Sequence, residues 1–462
     1  MKKILLLIPI IFLYLSVCGM AQSLVWEKIF HFNNDVAHGI SKSNDSTFYV
    51  CGNSGFGVVL KMNKYGDTLW TKRFLDTTVN YAYTVAATND GGCIISGYWD
   101  GLFALKLSPT GSVVWKKIYK VPGIQINKLI KGDNNYYYGC GYVSNLGFIF
   151  KIDDLGNLIW TKYLNTYSSV HLDDICFDSK TNSLVSVGSV SDNGSVFGYA
   201  LRFSTDSTIL FQKKYRMLNA GTNAGNIIKY GINFFISGAT IDSSSSYAHS
   251  YLLKINNTCD STYSRIFPTT KDETIGSLFM ENKKLIFSSY IFSPFIGDTL
   301  KVKLFTTDTL GNILNYKYII RTQGSKVNCG LQLTSNYSIF AGYIKRGTSD
   351  IWVLKTDSLF DFVPVSINSE NQTINNFQLS QNYPNPFNPS TKISYSLKKS
   401  SEIELKLFNI NGRMIKIIES GFKPAGSYEI NFSAEDLSSG VYFFSLYSEG
   451  ILMDTKKAVV VK

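Results

Sequence analysis

Carboxylates, thiols, imidazoles and tyrosines are the groups in this chain that could do chemistry, and their spacing decides what they do. Hydrolysis of a glycosidic bond needs two facing carboxylates. Asp173, Asp174 and Asp272 are available, but no motif pairs any two of them. Beyond Cys18 the cysteines are Cys51, Cys93, Cys140, Cys176, Cys259 and Cys329, with no C-x-x-C pair and no histidine at metal-ligand spacing. Cys51 and Cys140 each stand just before a glycine, Gly52 and Gly141. Ser96, Val187, Ser237 and Ala341 fill the same place elsewhere, so tight packing is the expected role. His31, His38, His171 and His249 fall at unrelated positions and read as solvated loop or rim residues. No catalytic residue, cofactor ligand or metal ligand is assigned. The positive hint is aromatic: Tyr81, Tyr83, Tyr98, Trp99 and the run Tyr136-Tyr137-Tyr138 offer faces on which a sugar ring could stack.

These groups must be positioned by a repeat of about forty-five to fifty residues. A turn glycine followed four residues later by tryptophan recurs as Gly66/Trp70, Gly111/Trp115 and Gly156/Trp160, spaced 45 residues apart. Looser copies run from Arg202 to Lys214 with Phe211, Lys254 to Arg265 with Tyr263, and Thr306 to Lys317 with Gly311 and Tyr316. A last half-copy, Ile351 to Ser358, lacks its aromatic strand, and Ser23 to Phe30, carrying Trp26, is an aromatic strand with no preceding half. The two halves complete each other if the chain closes into a ring, which removes the open sheet edge. Each unit divides into four short strands. In one unit they are 82–87, 93–97, 102–107 and 113–119, joined by turns where glycine supplies positive φ. The repeat aromatic is expected to pack between neighbouring blades. The expected fold over residues 22–360 is a seven-bladed β-propeller.

Residues 361–377 lose the repeat and read as a polar linker. The stretch Gln381-Asn382-Tyr383-Pro384-Asn385-Pro386-Phe387-Asn388-Pro389 cannot be helical and is rigid extended or turning chain. Alternating strands follow over 392–397, 403–409, 414–419, 426–432, 440–447 and 456–461, with Gly412 and Gly440 at turns. Such a meander makes a small Ig-like β-sandwich, so the chain is all-β throughout.

Two resemblances add to this. The Thr110-Gly111 to Trp115 interval resembles the propeller repeats of the quinoprotein-like superfamily, which implies architecture over residues 23–360. That superfamily's dehydrogenases also need a calcium site and a catalytic acid. Neither can be placed, so no cofactor is indicated. Asp153-Asp154-Leu-Gly156-Asn-Leu-Ile-Trp160 resembles the Asp-box of sialidase propellers, but its Asp-to-Trp interval is one residue too long and its threonine is missing. Arg73, Arg202, Arg216 and Arg265 show no sialidase arginine trio. The carboxylate is expected to cap a hairpin turn. Residues 378–462 resemble the type A C-terminal sorting domain of the type IX (Por) secretion system of Bacteroidetes-like bacteria. The marks are the Gln381 to Pro389 stretch, Asn411-Gly412-Arg413, Ala425-Gly426-Ser-Tyr428, Leu437-Ser-Ser-Gly440-Val-Tyr442, and Lys456-Lys457 to Lys462. Asn409 stands where the family's turn begins with aspartate. The resemblance implies recognition by that machinery at the outer membrane, then release or surface attachment.

The N-terminus fits such a route. Lys2-Lys3, an apolar stretch from Ile4 to Val17 and Gly19-Met20-Ala21 form a signal peptide over residues 1–21, cleaved between Ala21 and Gln22. A lipid-attachment site at Cys18 ranks second, because Val17 is bulky for that place. No other segment is long and apolar enough to span a bilayer. Net charge is +11, yet the lysines are dispersed singly with no nucleic-acid motif, so no nucleic-acid partner is expected. The expectation is a secreted or cell-surface monomer, delivered through the periplasm. Its propeller is a non-enzymatic binding module for a glycan or protein, and the alternative is a secreted hydrolase acting on polysaccharide or peptide.

Overall fold

The computed structural model describes residues 25–462, apart from 33–34, 44–45, 54, 75–78, 80, 99–100, 121–122, 219–220, 243–246, 270, 293–300, 321–323, 347, 363–376, 398–399, 411–412 and 449–450. The signal peptide, its Ala21/Gln22 junction, Cys18, Trp99, Gly412 and nearly all of the polar linker lie outside the described residues.

Among the described residues, the repeat folds as seven four-stranded antiparallel sheets. The innermost strands of blades 1 to 7 are Val36–Lys42, Tyr81–Ala87, Ile124–Lys131, Ser169–Asp178, Thr222–Tyr230, Asp272–Glu281 and Ser325–Thr334. Each touches the next, and the last touches the first, so the sheets form a closed ring around an axis. The split unit closes as the sequence requires. Trp26–Phe30 adds antiparallel to Thr348–Asp357 as the outer strand of blade 7, with Trp26 opposite Lys355.

The spacing of glycine and tryptophan has a direct physical cause. In all seven turns after the third strand of a blade one residue sits at positive φ: Gly66, Gly111, Gly156, Ser207, Cys259, Gly311 and Phe360. At Gly66, Gly111 and Gly156 the preceding blade's tryptophan lies against the glycine, whereas Gly311 faces Arg265 and Leu252. A Cβ built on Gly66 would come 2.8 Å from the Trp26 ring, on Gly111 3.0 Å from Trp70, and on Gly156 2.7 Å from Trp115. Each indole N–H then donates to a carbonyl of the next blade's turn. Trp26 reaches Lys64 at 3.2 Å, Trp70 reaches Pro109 at 2.8 Å, Trp115 reaches Asp154 at 2.9 Å and Trp160 reaches Thr205 at 3.1 Å. The Tyr263 hydroxyl does the same to Leu310 at 2.7 Å. The repeat is therefore an inter-blade clamp, and its lysines share the task. Lys151 donates to Thr205, Lys355 to Lys64, and Lys106 pairs with Asp154 at 2.6 Å. Part of the basic charge that the sequence scatters singly is thus structural.

Blade 6 corrects the expected register. Asn315, not Tyr316, stands opposite Thr306 at the tryptophan position, and Tyr316 pairs with Phe305 and is 57% exposed. Asp153 behaves as a turn cap: its Oδ1 accepts the N–H of Leu155 at 2.9 Å and of Asn157 at 2.8 Å. Asn63, Asn256, Asp308 and Asp357 repeat that geometry.

The ring-closing seam holds a buried acid. Asp35 is fully enclosed, donates its N–H to Ser349 at 2.6 Å, and neighbours Asp350, whose Oδ2 lies 3.0 Å from His31 Nδ1. Burial pushes the Asp35 carboxyl up to about 7, Arg73 draws it down and Asp350 adds to the rise. A folded value above the ordinary 3.8 of an aspartate gives stability that is complete below 3.8 and lost as pH rises through about 7. Asp35→Asn should therefore flatten the pH dependence of urea melts between pH 4 and 8. At pH 8 it should stabilise by on the order of 2–4 kcal/mol. Parallel pH profiles for the two proteins would show that Asp35 is not the titrating group.

The C-terminal part builds two sheets on one core. Phe377–Leu379, Ser390–Leu397 and Gly426–Ser433 form one, and Met414–Lys423, Ser401–Asn409, Gly440–Ser448 and Ile451–Val460 the other. Leu379, Phe387, Ile393, Leu405, Phe432, Phe444 and Val460 are packed between them. Phe377, read as the end of the linker, already belongs to a strand.

Candidate functional site: the axial mouth and the sorting domain

Every innermost strand carries a β-bulge, and the bulge inserts one extra residue facing the axis. The register shifts place His38, Tyr83, Asn127, Asp173, Gly225, Gly276 and Asn328 at the equivalent position of the seven blades. These residues form a belt whose members reach round the ring. The His38 and Tyr83 rings lie 4.5 Å apart. Asn127 Nδ2 donates to Leu172 O at 2.8 Å and Asp173 Oδ1 at 3.2 Å, and Asn328 Nδ2 donates to Ala37 O at 2.8 Å.

Above the belt the wall is aromatic on one side. Tyr98 stacks on Tyr83 with centroids 5.3 Å apart and on Tyr81 at 5.5 Å. Tyr142 stacks on His171 at 4.1 Å, and its hydroxyl donates to Gln125 at 2.6 Å. Burial pushes the Tyr83 and Tyr142 hydroxyls up, which keeps both rings neutral. Burial also pulls the His38 imidazole down, against its 2.7 Å hydrogen bond to Asn53, and Lys326 adds to the fall. Asp173 is enclosed but still partly accessible along the axis; burial, with Asp174 nearby, lifts its carboxyl to about 7.

One residue beyond the belt, Lys128 of blade 3 lies 3.8 Å from Asp174 of blade 4, with its side chain 41% exposed. The Asp174 carboxylate holds its ammonium above the ordinary lysine range. Asp174 is itself taken up by the N–H groups of Ile175 at 2.9 Å and Ile227 at 3.0 Å.

The structure brings Tyr81, Tyr83 and Tyr98 together, packed against one another, and it divides the other aromatic run. Tyr137 and Tyr138 are fully buried in the core, and Tyr136 faces the Lys151 ammonium at 3.9 Å. They offer no stacking surface because Lys151 and neighbouring apolar side chains occupy their faces. His249 is enclosed rather than solvated, because it sits on a strand within its blade and its Nδ1 accepts the Thr269 N–H at 3.2 Å, while His38, also on a strand, is half-buried. Asp173 and Asp174 flank the belt, whereas Asp272 accepts the Ala248 N–H elsewhere. The cysteines of the described residues are free thiols, and burial pushes Cys259 up to about 11 and Cys329 up to about 12. No group of three or more potential metal ligands occurs among the described residues.

The C-terminal motif residues have clear positions. Gln381 Nε2 and Asn385 Nδ2 both donate to the Lys457 carbonyl, at 2.7 and 2.9 Å, and Asn385 Oδ1 accepts the Val459 N–H at 2.8 Å. Asn382 is buried and donates to Pro384 O and Thr391 Oγ1. Phe387 bridges Val460 and plugs the core, so Pro384, Pro386, Asn388 and Pro389 lie in a segment strapped to the last strand. Tyr383 is left 79% exposed. The two Gly-x-Tyr motifs share one geometry. Tyr428 donates to Pro424 O and Tyr442 to Ser438 O, each four residues upstream, while Gly426 and Gly440 leave room beside the rings. Neither glycine has positive φ, and a Cβ on either would make only ordinary contact with its tyrosine, at 3.7 Å. Asn409 Oδ1 accepts the Arg413 N–H at 3.0 Å, so the amide caps the turn as a carboxylate would. Lys462 donates its N–H to Ser439 Oγ at 2.9 Å.

Fold and terminus together define a class: an all-β propeller protein with a C-terminal β domain of export type. Residues 381–462 match the family model described as the secretion system C-terminal sorting domain. The chain is an exported β-propeller protein of the type IX system, carried across the outer membrane to the cell surface or beyond. Among the described residues no helix is long and apolar enough to cross a membrane. No curated protein matches the chain. Solved structures similar to it include the WD40 β-propeller domain of Doa1, at 8% identity and TM-score 0.47, covering 72% of this chain and 96% of that one. The Dos1 propeller follows at 11% and 0.44, covering 69% and 77%. A protein of unknown function from Bacteroides caccae stands at 10% and 0.37, covering 51% and 82%.

Proposed function

We propose that this exported propeller is a binding module that holds an extracellular glycan or protein at its axial mouth, and that it does no bond chemistry there. The division we adopt is a signal peptide over 1–21, a propeller over 22–360, a linker over 361–377 and a sorting domain over 378–462. Within the last, the Gln381 to Pro389 strap, Arg413 and the two Gly-x-Tyr corners preserve the surface that the secretion machinery reads. The observation that carries the binding reading is the mouth itself: stacked tyrosines and two imidazoles beside amide groups, a composition suited to contact rather than proton transfer.

The hydrolase reading draws support from Asp173, whose raised carboxyl suits a general acid. It needs a second free carboxylate facing the first, and Asp174 is already engaged by Lys128 and two N–H groups. The deciding experiment incubates the purified mature chain with glycan and matrix-protein panels, scoring retention and product together. Retention of a ligand without product is expected. Release of product with turnover would replace the binding module by an enzyme.

A further inference from the structure

We infer that the axial mouth takes a neutral sugar residue of a glycan chain; this rests on the binding reading above and names its ligand. Two features converge on it, beside the Lys128 side chain, which lies 3.8 Å from Asp174 one residue beyond the belt and is 41% exposed.

The belt is also lopsided. Blades 1 to 4 contribute His38, Tyr83, Asn127 and Asp173, whereas blades 5 and 6 contribute Gly225 and Gly276. A Cβ built on Gly225 would meet nothing nearer than the Ser237 carbonyl oxygen at 3.9 Å, and its φ lies outside the left-handed region. Open space therefore stands beside blade 5, on the part of the belt that carries no side chain.

The wall chemistry suits hydroxyls on a ring with an apolar face. Tyrosine faces contact C–H groups, while amide and imidazole groups donate to and accept from hydroxyls without the cost of desolvating a charge. His38 is held neutral by burial, and a carboxyl that titrates near 7 at Asp173 serves as donor or acceptor. The charged groups around it are Asp174 and Lys128, which pair with each other beyond the belt, and Lys326 at the rim, whose ammonium lies over the Tyr290 ring at 4.3 Å.

Calorimetric titration of the full mature chain with maltotetraose, cellotetraose and mannotetraose, and with tetragalacturonate as the charged counterpart, tests this. At least one neutral tetramer should bind. Gly225→Leu, which fills the open side, should weaken it by about tenfold or more without moving the melting temperature. Tyr83→Ala, at a partly exposed position, should weaken it similarly and serves if the leucine variant misfolds. Neutral-sugar binding that survives both changes overturns the assignment, as does a preference for tetragalacturonate or failure of all four tetramers. A matrix protein captured in place of any sugar sinks the sugar assignment but leaves the binding module standing. Cleavage of a tetramer sinks the binding module as well.

Discussion

Trp26→Ala should cost the propeller about 3–5 kcal/mol of unfolding free energy, the range for a fully buried large aromatic. Trp26 is 1% exposed and joins the chain's two ends. It sits in the outer strand of blade 7, stacks on Phe48 of blade 1 at 6.2 Å, and lies against the Gly66 turn. Its neighbours Val50, Leu60, Ile339 and Val353 come from blades 1 and 7, so truncation leaves a cavity beside the strand that joins the rest of blade 7 only by non-covalent pairing with Thr348–Asp357. Trp70 makes the same clamp between blades 1 and 2 but is only half-buried, and its strand follows Gly57–Asn63 of its own blade through a covalent hairpin. Its alanine variant should lose about 1–2 kcal/mol, less than half as much. Urea melts followed by tryptophan fluorescence give both numbers. Equal losses at the two positions would mean that the seam is no weaker than any other blade contact.

The clamp was legible in the sequence because its parts are close along the chain. A left-handed turn position and an aromatic four residues later are joined by a single hairpin, so their spacing is fixed wherever the hairpin recurs. Blade 6 escaped because that signal is chemical: with Asn315 in the aromatic place, the eye moves to Tyr316 one residue on. Ser207, Cys259 and Phe360 escaped as turn residues for the same reason, since the backbone conformation is kept after glycine is replaced. Phe360 is tolerated there because its ring is buried against Phe340 and Trp352, which offsets the strain of the left-handed position.

The axial belt was hidden for a different reason. Its residues share no chemical type, running from His38 to Gly225, and they meet only because the ring brings positions nearly three hundred residues apart to one axis. A signal existed all the same. Each belt residue from His38 to Asn328, Gly276 aside, precedes the glycine near the end of its second strand by 13 to 15 positions: His38 to Gly52, Tyr83 to Gly97, Asn127 to Gly141, Asp173 to Gly188, Gly225 to Gly238 and Asn328 to Gly342. In the structure a Cβ on any of those glycines would come within 2.1 Å of a carbonyl oxygen of the inner strand, beside the bulge. The small residue before each glycine marks the same crowding, and the thiols of Cys51 and Cys140 follow it. In the C-terminal region the motif residues were legible as a set, but their individual work was not. Strapping the Gln381 to Pro389 segment to Lys457 and Val459 depends on contacts more than seventy residues apart.

Removing residues 378–462 should abolish delivery of the propeller across the outer membrane and leave it in the periplasm. The sorting-domain match begins at Gln381, and the strand Phe377–Leu379 belongs to the same sheet as Ser390–Leu397, so this cut takes the recognised surface with its support. The effect is all-or-none for localisation, larger than that of any single substitution. Phe387→Ala should act partially, because Phe387 fills the core beneath the strap and its loss costs about 3–5 kcal/mol. The measurement that tests the account most directly is fractionation of cells expressing the intact and the truncated chain, with protease added to whole cells. Intact protein on the surface or in the medium, with a folded, protease-shielded periplasmic pool of the truncated form, is the predicted result. Truncated propeller reaching the surface at the normal level would contradict it, and the export address would then have to lie elsewhere in the chain.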